Sequence, residues 1–226
     1  MHRKPVDYPS SVRITDDDRL HILGLAADMV AAVSHAPFPS YDVRDPERRW
    51  RLIAGFYRES LALAREAAAN PDPEAAHWRT LIANRHGVGV GLSTEDAERG
   101  YHCYFVRGSR AGQSAEQKIL AEEYSTHVFW ACNRRKFFRS VGGRVRLAHD
   151  TCQVGDVVCG FQGAVVPHLL RRNIDDDKDT SNTFSSIGDC YVHGLMDSAV
   201  VGDFDKGMEQ GREAAAQALS PQGEIH

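Results

Sequence analysis

The sequence predicts an α+β fold: an α-helical N-terminal half packed on a small C-terminal β-barrel. Two observations carry this. Before residue 134, apolar residues recur every three or four positions. After it, short β-branched or aromatic runs are punctuated by Gly and Asp. Helices and strands are thereby segregated along the chain, which favours this class over an alternating βαβ sheet. The chain divides into a helical region over 1–134 with a Gly-rich loop at 87–112, a small barrel over 135–200, and a partly helical tail over 201–226.

The elements follow in order. Thr15 and Asp16 to Asp18 are placed to cap a first helix with the stripe Leu20, Leu23, Ala27 and Val30, which Pro37 and Pro39 end. Asp45-Pro46 opens a second helix with Trp50, Ile53, Tyr57, Leu61, Ala64 and Ala68 on one face. A third runs from about Glu74 to Arg85. Gly87 to Gly112 reads as a long loop with a short strand at Tyr101 to Val106. Ser114, with Gln117 three residues on, opens a fourth helix whose stripe is Leu120, Tyr124, Val128 and Ala131. Strands are expected at Phe137-Phe138, Val145–Ala148, Asp156–Cys159, Ala164–Leu170 and Phe184–Val192. Five in so short a stretch point to a curled sheet or barrel. A last helix is expected from Asp205 to Leu219.

Composition bounds the function. The chain has 226 residues, 42% of them hydrophobic and 26% charged, which are globular values. The net charge of −4 supplies no basic excess for phosphates, so nucleic acid is not an expected partner. No apolar run approaches the ~20 residues of a membrane span, and no secretory signal is visible. Five Cys with no CxxC pair fit reduced thiols and a cytoplasmic location. His149-Asp150, His168 and His193 lack the tight ligand spacing of a zinc site, and Asp175 to Asp179 lacks the Gly and Glu of a calcium loop. Gly87-Val88-Gly89-Val90-Gly91 follows a helix rather than a strand, so it reads as a flexible lid and not as a dinucleotide fingerprint. No GxSxG, P-loop or HExxH is present. Neither metal nor cofactor is therefore expected.

Several runs together carry a family resemblance. They are Arg135-Lys136-Phe137-Phe138-Arg139, Val154-Gly155-Asp156-Val157-Val158-Cys159, Val166-Pro167-His168-Leu169-Leu170-Arg171, and Ile187-Gly188-Asp189-Cys190-Tyr191-Val192-His193-Gly194-Leu195-Met196-Asp197. The set resembles the C-terminal β-barrel of fungal heterokaryon-incompatibility proteins. His77-Trp78-Arg79-Thr80-Leu81-Ile82-Ala83-Asn84-Arg85 is similar to the segment that precedes that barrel. The resemblance spans roughly residues 75–200. Val154 stands where the family has Pro, and Asp189 where it has Glu. The family's N-terminal signalling domain is missing, so incompatibility itself is not implied.

The candidate chemistry sits at the end of the last strand. His193, Tyr191 and Asp189 are the candidate catalytic residues: His titrates near neutral pH, and alternate strand residues share a face. The competing role for them is to hold a turn. Arg171, His168 and Trp130 are the candidate binding residues. A helix-capped barrel fits an apolar small molecule held in a reactive conformation. The expected function is a stand-alone, cofactor-independent cyclase or isomerase, pericyclase-like and of the Diels–Alderase type, in secondary-metabolite biosynthesis. The alternative is a non-enzymatic ligand- or protein-binding module related to heterokaryon incompatibility. The sequence leaves the substrate and the oligomeric state open.

Overall fold

The computed structural model describes residues 12–14, 20–22, 24–84, 92–106, 112–161, 164, 166–173 and 183–193. Eight strands and four α-helices are described: β1 (Val12–Ile14), β2 (Leu20–Ile22), β3 (Gly24–Val33), α1 (Pro46–Arg65), α2 (Pro73–Leu81), α3 (Thr94–Tyr101), α4 (Ala115–Cys132), β4 (Arg135–Ser140), β5 (Val145–His149), β6 (Val157–Phe161), β7 (His168–Arg172) and β8 (Phe184–Val192). β1 and β2 form a hairpin. The other six strands close into an antiparallel barrel in the order β3-β4-β5-β8-β7-β6. The fold is thus α+β, with helices from the N-terminal half packed on the barrel.

Local chemistry sets the helices. The Asp45 carboxylate accepts from the Glu47 and Arg48 N–H groups at 3.0 and 3.3 Å, and Pro46 starts α1. Ile53, Phe56, Ser60 and Ala64 form its buried face, so Trp50 of the expected stripe turns partly outward. Asp72 caps α2 through the Ala75 N–H at 2.9 Å. Ser114 and Gln117 make the expected capping box on α4, and Leu120, Tyr124 and Val128 are buried.

Three expectations are overturned. Residues 24–33 are a strand, not a helix. Their Ala-rich run has helical propensity, but pairing to β4 on one side and β6 on the other closes the barrel, and tertiary pairing overrides propensity. The 87–112 segment is also not a loop throughout. Ser93 caps α3 by accepting from the Asp96 N–H at 3.0 Å, and a π-helix covers His102–Val106, where a strand was expected. Gly100 lets α3 approach α4: a Cβ there would lie 2.7 Å from that of Tyr124. The Gly87–Gly91 run, Asp175 to Asp179, Asp197 and the expected tail helix lie outside the described residues. Among those described, no helix is long and apolar enough to cross a membrane.

β5 lies between two cores. Val145 and Leu147 join the cluster beneath the helices with Phe137, Trp78 and Tyr124. Ala148 joins the barrel interior with Val30, Phe138, Val158, Leu169 and Val192. Arg146, next to Ala148 by alternation on its inner side, is fully buried. Its Nη2 donates to Asp28 Oδ2 at 2.5 Å across β4, while its Nε and Nη1 have no hydrogen-bond partner. Burial pushes the Asp28 carboxyl up, but bonds from Ser140, the Gly142 and Met29 N–H groups and the Arg146 charge outweigh it and hold it below its ordinary value.

Removing one member of such a pair strands the other charge. Arg146→Met is expected to cost about 3–5 kcal/mol, and Asp28→Leu with Arg146→Met together less than Arg146→Met alone. Urea denaturation of the single and double variants checks this; simple additivity of the losses would contradict it.

Candidate functional site

The outer face of the barrel is organised in rows by strand register. Phe137, Leu147 and Tyr191 are partners across β4, β5 and β8, and form an apolar middle row under the helices. On one side lie Arg139, Val145 and His193: Arg139 pairs with Val145, whose carbonyl accepts from the His193 N–H at 3.3 Å. On the other side lie Arg135 opposite His149 and Asp189 opposite His168. The pairing of Ala148 with Cys190 brings these two pairs into one polar row across four strands. A Cβ on Gly188, whose φ is +134°, would lie 4.0 Å from that of His149, so the approach there is close.

Arg135 Nη2 donates to Asp189 Oδ2 at 2.8 Å, bridging over β5. That bond and charge outweigh partial burial and hold Asp189 below the usual carboxylate value, with help from His168. The side chains stay accessible: Asp189 and His149 are each 55% exposed and Arg135 is 28% exposed. His168 Nδ1–H donates to the Val166 carbonyl at 3.1 Å, and the ring lies 5.2 Å from that of Phe161. In the neutral ring Nε2 is then the acceptor. His149 Nδ1 accepts from the Thr151 N–H at 3.4 Å when neutral and, when protonated, donates to Asp150 Oδ1, 3.0 Å away. The row therefore offers a guanidinium, a carboxylate and two imidazoles side by side, suited to a partner with polar and charged groups.

The candidate catalytic residues share one face of β8 but not one site. Tyr191 is only 6% exposed and belongs to the middle row. Its hydroxyl lies 3.4 Å from His193 Nδ1. Asp189 is four residues from His193, ~13 Å along an extended strand, and is bonded to Arg135 instead. Of the candidate binding residues, His168 stands beside Asp189. Arg171 is a clamp: its Nε and Nη2 donate to the buried Asp156 at 2.8 and 2.9 Å, and Nη2 also donates to the Thr151 carbonyl at 2.8 Å. Trp130 is 76% exposed on α4. Arg135 and His149 complete the row, and no local spacing signals it, because only register places them beside Asp189 and His168.

Other chemistry is muted. The five cysteines are buried and unbridged. Burial pushes the thiols of Cys152 and Cys190 up to about 12, which keeps them protonated and poorly nucleophilic. Among the described residues no three His, Cys, Asp or Glu side chains gather as a metal set.

A six-stranded antiparallel barrel, helix-covered on one face and polar along its rim, is a barrel module. Residues 110–207 match the family model of the Het-6 beta-barrel domain. That stretch is similar to a Het-6 barrel domain, and five of the six barrel strands fall within it, β3 alone lying outside. No curated protein and no solved structure matches the chain.

Arg171→Ala removes both guanidinium bonds to the Asp156 carboxylate, leaving it the Gln153 N–H at 2.8 Å, and is expected to cost about 2 kcal/mol. Urea denaturation reads this directly; an unchanged midpoint would contradict a structural role for Arg171.

Proposed function

We propose that the chain is a non-enzymatic recognition module that binds a protein or ligand through the outer polar row of its barrel. One observation carries this: Arg135, His149, Asp189 and His168 come from four different strands into one accessible row. A partly exposed pair such as Arg135–Asp189 contributes at most ~1 kcal/mol to stability. Its arrangement therefore serves contact more than folding. The family relation to barrels of incompatibility proteins favours the same reading.

The contact between Tyr191 and His193 favours a second reading, the cyclase or isomerase. There the imidazole and phenol would donate to an oxygen that gains charge in the transition state. An apolar polyene or carbonyl compound would be the substrate, and no cofactor would enter.

The two readings separate experimentally. For the module, immobilised protein should retain a partner from a host extract. Asp189→Ala and His168→Ala should lose that partner with melting temperatures within a few degrees of wild type. Retention of the same partner by both variants would remove the polar row from the account. For the enzyme, His193→Ala should slow turnover of a polyene substrate by roughly tenfold to a thousandfold with stability kept. Unchanged turnover per folded molecule would end the catalytic role of His193.

A further inference from the structure

Ser60 on α1, His77 on α2, Tyr101 on α3 and Tyr57 on α1 form a hydrogen-bonded ring within the helical layer. Ser60, His77 and Tyr101 are fully buried. Proton directions follow from the one member that can only accept. The Tyr57 carbonyl accepts from the Ser60 hydroxyl at 3.1 Å. Ser60 Oγ then accepts from His77 Nε2–H at 2.8 Å, and His77 Nδ1 accepts from the Tyr101 hydroxyl at 3.2 Å. Tyr101 accepts from the Tyr57 hydroxyl at 3.1 Å, so the ring begins and ends on Tyr57. A histidine that activates a serine nucleophile takes the serine proton. Here the polarity is reversed, and Ser60 is held as an acceptor.

The ring fits only a neutral His77. A second proton at Nδ1 would face the Tyr101 O–H, donor against donor, and both tyrosine hydroxyls would have to turn around. The surroundings give a cation no support. From α1, Arg65 repels it; from α2, Glu74 acts on Tyr101 rather than on His77. From α4, Tyr124 packs its ring 5.9 Å from that of Tyr101, and from β4 the uncharged Phe137 ring lies 5.5 Å from His77. The ring thus joins α1, α2 and α3 directly above the apolar row of the barrel.

We propose that this ring is an acid-sensitive latch: protonation of His77 releases the layer α1–α3 from the outer face of the barrel while the barrel stays closed. Burial, with Arg65 adding to it, holds the His77 imidazole down at about 3, against an ordinary value of 6.5. The unfolded or opened layer therefore binds a proton that the closed layer refuses. The stability the latch gives is complete above 6.5 and falls steadily as pH drops toward about 3. Inside the barrel, Asp28 is held below its ordinary value and keeps its charge through most of that window.

Hydrogen exchange of the full-length protein at about pH 7 and about pH 5, corrected for the intrinsic pH dependence of amide exchange, tests the latch. The opening equilibrium of α1, α2 and α3 should rise about 25-fold at the lower pH, with β5 and β8 unchanged. His77→Gln should abolish the difference. Tyr101→Phe keeps the imidazole and removes the O–H that a second proton would face, so it should raise opening at about pH 7 and narrow the difference between the two pH values; it decides the matter if His77→Gln does not fold, an undiminished difference counting against the latch. Equal opening of helices and barrel, no rise in the helices, or a rise that survives His77→Gln would overturn the proposal.

Discussion

Burial of β5 on both faces is the constraint on which the rest of the structure depends. Four successive residues, Val145 to Ala148, are buried. Alternation sends Val145 and Leu147 to the helical layer and Arg146 and Ala148 into the barrel. The barrel must therefore be closed on one side of this strand and covered by helices on the other. The helical excursion between β3 and β4 meets both needs. It leaves the barrel after Val33 and returns at Arg135, so its two ends are fixed by neighbouring barrel strands. The Ser34 N–H donates to the Phe137 carbonyl at 2.8 Å, where the ends meet.

This arrangement sorts the polar groups. Under the helices, the network around His77 satisfies its members through one another. Inside the barrel, Arg146 answers Asp28. At the rim, where cover ends, Arg135, Asp189, His149 and His168 remain accessible. The same register that buries Tyr191 exposes Asp189 two residues away, because the helices cover the middle row and leave the Asp189 row accessible. The edge of the covered face is thus polar and open, and its centre apolar and buried.

Much of this was legible in the sequence. The caps at Asp45 and Ser114 and the strand runs from Phe137 onward are local signals, and elements formed there, the Ala164–Leu170 run yielding a strand only from His168, which continues to Arg172. β3 was not legible, since an Ala-rich run takes its conformation from two partners over a hundred residues away in sequence. α3 carries a local signal as well: Ser93 with Asp96 three residues later is a cap. At the site, periodicity placed Tyr191 and His193 on one face. It did not tell covered rows from open ones, and it could not foresee that Arg171 is engaged by a buried Asp156. Such facts belong to register and packing, which no single segment encodes.

Residues 24–33 are a barrel strand with two neighbours, despite their helical composition. Interstrand nuclear Overhauser effects in the full-length protein test it most directly. Extended-chain shifts are expected over this segment, with contacts from Met29 to Val157 on one side and from Val33 to Phe138 on the other. Helical shifts with contacts between residues three apart, or pairing to only one neighbour, would contradict it.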